Sequence, residues 1–230
     1  MKIEDFKSDL DFLYQQNKTK KDYSFVVQDY YSREERHYCA YLFSWLIQDP
    51  QNVKIFLESF SPSLSDKNDL FDSEHVKLFY EFTWLRDIIY EFGRHSGLKG
   101  QKKEDLKSAL NDFVFTDGGD IQKKKPDLAI YLKNSKKLIL IEAKFEEGFD
   151  HTQIEETIKY GEALEGLLGN GIIQKSFVAL LGRAYYLRNY RNVYHLSWEN
   201  LAENKIKDSE IKKEILKGLE NQIRIHPKTI

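Results

Sequence analysis

Two short apolar runs, DLAIYL over residues 127–132 and KLILIEAKF over 137–145, are separated only by Lys133, Asn134, Ser135 and Lys136. Their length and their Leu, Ile, Tyr and Ala content are those of buried strands, and Asn134-Ser135 is a turn-forming pair that closes them into an antiparallel hairpin. Successive side chains in a strand alternate faces, so Leu138, Leu140, Glu142 and Lys144 share one face while Ile139, Ile141, Ala143 and Phe145 share the other. Both faces are apolar until the end. The sequence therefore specifies a strand buried on two sides whose last residues emerge at a charged edge.

The charges at that edge need a reason. A two-residue turn at Asn134-Ser135 pairs Lys133 with Lys136 and sets Asp127 opposite Glu142, with Cβ atoms about 4.5–5.5 Å apart; a longer loop slips this register. Two ionised carboxylates at that distance repel and destabilise the fold unless something positive joins them. A divalent cation resolves the conflict: Asp127, Glu142 and the backbone carbonyl of Ala143 form the kind of oxygen set that Mg²⁺ accepts, and Lys144 is placed to orient water or offset charge on a reacting phosphate. The chemistry that fits is metal-dependent phosphodiester hydrolysis. The plainer alternative is a solvent-exposed strand end preceded by an ordinary strand-opening acid. The hairpin-sized separation, the buried character of the strands and the helix that follows them favour the site.

Along the rest of the chain, helical spacing runs through Ile3, Phe6, Leu10, Leu13 and Tyr14. Ser32 caps a second helix with Tyr38, Tyr41, Leu42, Trp45 and Leu46 as its stripe, stopped at Asp49-Pro50, and residues 51–60 read as another. A turn-rich stretch over 61–73 leads into an apolar helix over 74–93, with a weaker helix over 103–112. From Thr116-Asp117-Gly118-Gly119-Asp120 the character becomes β-branched, with further strands over 173–181 and 193–197 around a helix whose pattern is Ile154, Ile158, Ala163, Leu164 and Leu167. From Trp198 the chain reads as helical to its end. The predicted class is α/β (α+β): one domain with a mainly helical part over 1–115, a core over 116–200 and a C-terminal helix over 201–230.

Composition narrows the function classes. A net charge of −2 excludes a globally basic nucleic-acid binder but not a local groove; Lys102, Lys103, Lys123, Lys124 and Lys125 cluster, and Arg183, Arg188 and Arg191 interleave with Tyr185, Tyr186 and Tyr190. Cys39 is the only cysteine, so no intrachain disulfide and no multi-cysteine zinc site exists. The first residues lack a signal-peptide core and no window approaches the roughly 18 apolar residues of a membrane span; the expected place is the cytoplasm, with no membrane partner. The histidines, among them His37, His75, His95, His151 and His195, show no metal-ligand spacing, and Gly161, Gly166, Gly169 and Gly171 read as helix-end and turn residues without a nucleotide-binding loop.

Pro126-Asp127 followed by Glu142-Ala143-Lys144 resembles the two halves of the PD-(D/E)XK nuclease signature, the restriction-endonuclease-like superfamily, over residues 116–200. The resemblance implies an αβββαβ core with a mixed sheet flanked by helices, here with a helical N-terminal elaboration. It implies a Mg²⁺- or Mn²⁺-dependent nuclease acting on DNA ahead of RNA, alone, as a homodimer or with a partner protein. Asp127 and Glu142 would be metal ligands and Lys144 the water positioner. The superfamily often carries an outer acid on a preceding helix, a place open to Glu34 or Glu35, with Glu35 favoured. Gln153 and Tyr160 resemble the Gln and Tyr of RecB-like relatives, although seven residues separate them here, wider than usual. Some members keep only the fold, so a catalytically inactive nucleic-acid-binding or interaction module is the alternative.

Overall fold

The structure, a computed structural model, describes residues 35–80, 126–145, 148–168, 172–187 and 190–225. The expected helices over 3–16 and 103–112, the Ser32 cap, residues 116–120, Glu34, Arg188 and the lysines at 102, 103 and 123–125 lie outside these.

The apolar runs form the middle of a five-stranded sheet: β1 (Val76–Tyr80), β2 (Leu128–Leu132), β3 (Lys137–Ala143), β4 (Lys175–Gly182) and β5 (Tyr194–Ser197), side by side in that order. β1, β2 and β3 are antiparallel neighbours, while β3, β4 and β5 run parallel. The fold is thus mixed α/β with a mixed sheet between helices. The hairpin uses a four-residue loop rather than the expected two, with Lys136 at a left-handed φ of 53°. Its register survives because the wider loop opens one pair symmetrically: Leu132 faces Lys137 and Leu128 faces Ile141.

One face of the sheet is covered by α1 (Glu35–Gln48), α2 (Pro50–Phe60), α4 (Trp198–Asn204) and α5 (Ser209–Ile225). Tyr38, Leu42, Trp45 and Leu46 bury the expected stripe of α1 against Ile139, Ile141, Ala143 and Phe145; a fully buried Leu42 or Phe145 contributes about 1.5–3 kcal/mol. Pro50 opens α2 rather than only closing α1, because the Asp49 carboxylate accepts the Gln51 N–H at 2.9 Å and the missing proline N–H is not needed in a first turn. The C-terminal part is two helices, not one. The Asp208 carboxylate accepts the N–H groups of Glu210 and Ile211, a cap that starts α5 afresh.

The opposite face is covered by α3 (His151–Leu168), which links β3 to β4. Beside it runs the irregular connection from β4 to β5. Parallel neighbours require the chain to return from the end of one strand to the start of the next, and here the return lays Leu187, Tyr190 and Val193 over Phe149, Val178 and Leu180.

Two sequence expectations need correction. The helix over 74–93 is a strand over its first part: in VKLFY the β-branched and aromatic residues pair with β2, with Val76 buried and Leu78 and Tyr80 packed on the core. Residues 81–93 lie outside the described set. Gly161 is not a helix-end residue but lies inside α3, while Gly166 falls in the last turn of that helix. A Cβ at Gly161 would collide with the Ser176 hydroxyl, so that glycine lets the helix approach β4.

Candidate functional site

The site lies where β2 begins and β3 ends. Alternation puts Ala129 and Tyr131 of β2, like Leu138 and Leu140 of β3, on the side away from the α1 core, facing α3; Tyr131 donates its hydroxyl hydrogen to the Ile172 carbonyl at 2.7 Å. The ladder reaches Leu128 opposite Ile141, so one further step sets Asp127 across from Glu142 on that same side. The Asp127 carboxylate accepts the Ala143 N–H at 2.8 Å, which ties the start of β2 to the end of β3.

Glu142 is only 3% exposed. One carboxylate oxygen accepts from the Gln153 side-chain amide at 2.9 Å and the other from the Thr157 hydroxyl at 2.8 Å. Burial pushes its carboxyl up to about 8 and the facing Asp127 charge adds to this, while Thr157, Lys144 and Gln153 pull the other way. A buried carboxyl raised so far beside a second carboxylate is the kind of group found at functional sites.

Helix α3 brings those two donors by its phase. Asp150 accepts the Thr152 N–H at 2.9 Å and caps the helix start, after which Gln153, Thr157 and Gly161 follow at four-residue spacing down one face. Along that line the side chains shrink as the helix closes on the sheet.

Lys144 is fixed through its backbone. Its N–H donates to the Leu181 carbonyl at 2.8 Å and its carbonyl accepts the Trp198 indole N–H at 3.1 Å. The next residue, Phe145, stacks on Tyr38 with ring centroids 3.6 Å apart and meets Trp198 edge-on at 5.5 Å. A Cβ at Gly218 of α5 would fall on the Tyr38 ring, so α1, α4 and α5 all bear on the strand end that carries Lys144.

Asp127, Glu142, Ala143, Lys144 and Gln153 are therefore brought together. Thr157 was missed by sequence reasoning, although a signal existed: it falls on the buried stripe of Ile154, Leu164 and Leu168, where a polar side chain needs a partner. Tyr160 is buried on the same helix. Glu35 opens α1, one turn before Tyr38, at the end of the sheet where Phe145 lies; its side chain, like all of Glu34, lies outside the described residues. Arg183 is not an open cation: its Nε lies 3.4 Å from the Glu199 carboxylate. The described histidines stay apart; His75 bonds Asp72 at 2.8 Å, and burial lowers the affinity of His37 and His195 for a proton.

The donor set can hold a hard cation through two carboxylates and the Ala143 carbonyl. Among the described residues no group of three or more His, Cys, Asp or Glu gathers. A cavity of about 490 Å³ lies elsewhere, between the C-terminal half of α3 and the starts of β4 and β5, lined by Glu162, Glu165, Lys175, Phe177 and Tyr194. It is at the far end of the strands from Glu142. No described helix is long and apolar enough to cross a membrane. Comparison with family models, with curated proteins and with solved structures returns no match.

Proposed function

We propose that this protein is a Mg²⁺- or Mn²⁺-dependent nuclease with a restriction-endonuclease-like core, hydrolysing phosphodiester bonds in DNA ahead of RNA. The observation that carries the reading is the buried Glu142 facing Asp127 on one side of the sheet, with Lys144 two residues on and anchored by both its backbone groups. Two facing carboxylates, one of them deeply buried, suit a site completed by a cation and a phosphate.

Asp127, Glu142 and the Ala143 carbonyl would hold the ion. When bound, it supplies Lewis-acid polarisation of the phosphoryl group and a more acidic water near neutral pH. The Lys144 ammonium offsets the negative charge that builds on the phosphate, or orients the attacking water. Gln153 and Thr157 hold the Glu142 carboxylate in one rotamer, so it is aligned before the substrate arrives. The Trp198 indole fixes the Lys144 carbonyl and with it the direction in which the lysine leaves the strand.

The burial of Glu142 favours a second reading, a nucleic-acid-binding module that keeps the fold without cutting. Incubation with linear, circular and single-stranded DNA in Mg²⁺, Mn²⁺ or a chelator, beside Lys144→Ala and Asp127→Ala, separates the two. Cleavage that needs the ion and falls by about 10²-fold or more in Lys144→Ala is the expected result. Binding without cleavage selects the module, and equal cleavage by wild type and both variants removes the site assignment.

A further inference from the structure

We infer that the tyrosine pair at the start of the β4–β5 connection is a stacking platform for an unpaired nucleobase, so that the nucleic acid engaged beside Lys144 is single-stranded or locally opened. The inference rests on the nuclease reading of the Glu142 site and names its substrate class.

Among the described residues, the exposed large hydrophobics are Leu70 and Tyr185. Leu70 belongs to the segment that packs on the hairpin loop, where Asn134 donates to the Asn68 carbonyl and the Asp69 carboxylate accepts the Ser135 N–H, at the end of the sheet away from Glu142. Tyr185 lies at the other end. Glu142 is level with Leu180 of β4, and the chain leaves that strand at Gly182, three residues before Tyr185.

The platform is held rigidly. Glu199, in the first turn of α4, takes the Arg183 guanidinium at 3.4 Å and the Ala184 N–H at 3.1 Å. The Tyr186 and Leu187 N–H groups both donate to the Arg183 carbonyl. Farther along, Tyr190 donates its hydroxyl hydrogen to the Phe149 carbonyl at 3.1 Å, fastening the other end of the connection. On this base Tyr185 and Tyr186 stand nearly perpendicular, centroids 5.3 Å apart, with 68% of Tyr185 open to solvent. A Cβ on Gly148 would lie 4.0 Å from the Tyr186 ring, so the pair adjoins the segment that leaves the sheet after Lys144.

Chemistry selects the occupant. Arg183 is engaged by Glu199, so the start of this connection presents ring surface rather than a free guanidinium. A duplex keeps its bases stacked on one another, and an open tyrosine face can accept only a base that has left the stack. Such stacking is indifferent to base identity and adds to the electrostatic hold on the backbone.

Fluorescence anisotropy in a chelator, with no cleavage possible, tests this on the full chain using a labelled oligothymidylate and a mixed-sequence duplex of equal length at low salt. Tyr185→Ala is expected to weaken single-strand binding about tenfold and duplex binding less than twofold. Tyr185→Trp should restore binding, with its fluorescence quenched by the oligonucleotide, and Leu70→Ala should change nothing. Equal single-strand affinity in wild type and Tyr185→Ala overturns the platform, and does so even if metal-dependent cleavage is intact. An equal loss on duplex overturns the single-strand assignment. Absence of any single-strand binding by the wild type overturns the platform, while the nuclease reading stands or falls separately on the metal-dependent cleavage assay.

Discussion

Helix α3 is fastened to the sheet by two glutamates, one near each end, and the fastenings differ in their charge. At the C-terminal half, Glu165 of the helix accepts the Ser176 N–H at 2.6 Å and its hydroxyl at 2.7 Å, with the Lys175 ammonium 3.6 Å away. At the N-terminal half, Glu142 of the strand accepts from Gln153 and Thr157 of the helix, and it faces a second carboxylate. Glu165 is part-buried with a cation beside it; Glu142 is deeply buried, and Lys144 offsets only part of the Asp127 repulsion. Holding a helix on a sheet requires nothing more than the first arrangement. The second sets a deeply buried carboxyl against another carboxylate, which disfavours its ionised form, and such strongly shifted groups cluster at functional sites.

The largest expected effect breaks the comparison by titration. A carboxyl held at about 8 in the fold, against 4.5 for an ordinary glutamate, keeps its proton over a range where the unfolded chain has lost it. Below about 4.5 both states are protonated and Glu142 has no influence on pH dependence; from there upward stability falls, by at most about 1.4 kcal/mol per pH unit, until the folded carboxyl also ionises near 8. Thermal melts of metal-free protein should show that decline, Glu142→Gln should flatten it, and Glu165→Gln should not. At the alkaline end Mn²⁺ at a hundredfold its dissociation constant should return about 2.7 kcal/mol, a gain removed by chelation and absent in Asp127→Ala. A flat wild-type profile with no cation response would make the two fastenings equivalent.

The next effect belongs to the balanced side. Glu165→Ala strips the acceptor from the Ser176 N–H and hydroxyl together, and a lost acceptor costs about 1–3 kcal/mol when its donors are shielded. Glu142→Gln, which removes a carboxyl whose ionisation the fold disfavours, should cost less than this in metal-free protein. Denaturant melts of the two variants side by side give the order; the reverse order would mean that Glu142 is the main structural fastening.

How much of this the sequence disclosed follows from which constraints are local. The β2–β3 hairpin was legible because period-two alternation and loop length act over a few residues, and the register held even though the turn was misjudged. Gln153 was reached only through the family resemblance, as the polar residue on the helix that follows Glu142-Ala143-Lys144. β1 was not, because Val76–Tyr80 carries an apolar pattern compatible with either element and only pairing to β2, some fifty residues on, decides it. Thr157 escaped for a related reason: its importance depends on Glu142 arriving from another element. The break between α4 and α5 was local, and Asp208 announced it, but an amphipathic pattern on both sides concealed the cap.

The smallest expected effect sharpens the account of Glu142 itself. Thr157→Val keeps the side chain's shape and removes one hydroxyl, whose loss from a carboxylate should lower stability by about 1 kcal/mol. The Gln153 carbonyl, 3.0 Å away, competes for that hydroxyl's one hydrogen, as back-bonding threonines in helices allow, so part of the loss is shared with the helix. The titration separates the parts. Thr157 pulls the Glu142 carboxyl downward, so its removal should move the pH at which stability levels off to a higher value, and should weaken Mn²⁺ at a fixed neutral pH because fewer molecules present an ionised carboxylate. A variant that melts lower yet keeps the wild-type pH profile and cation response would confine Thr157 to the helix, leaving Gln153 as the donor that orients Glu142.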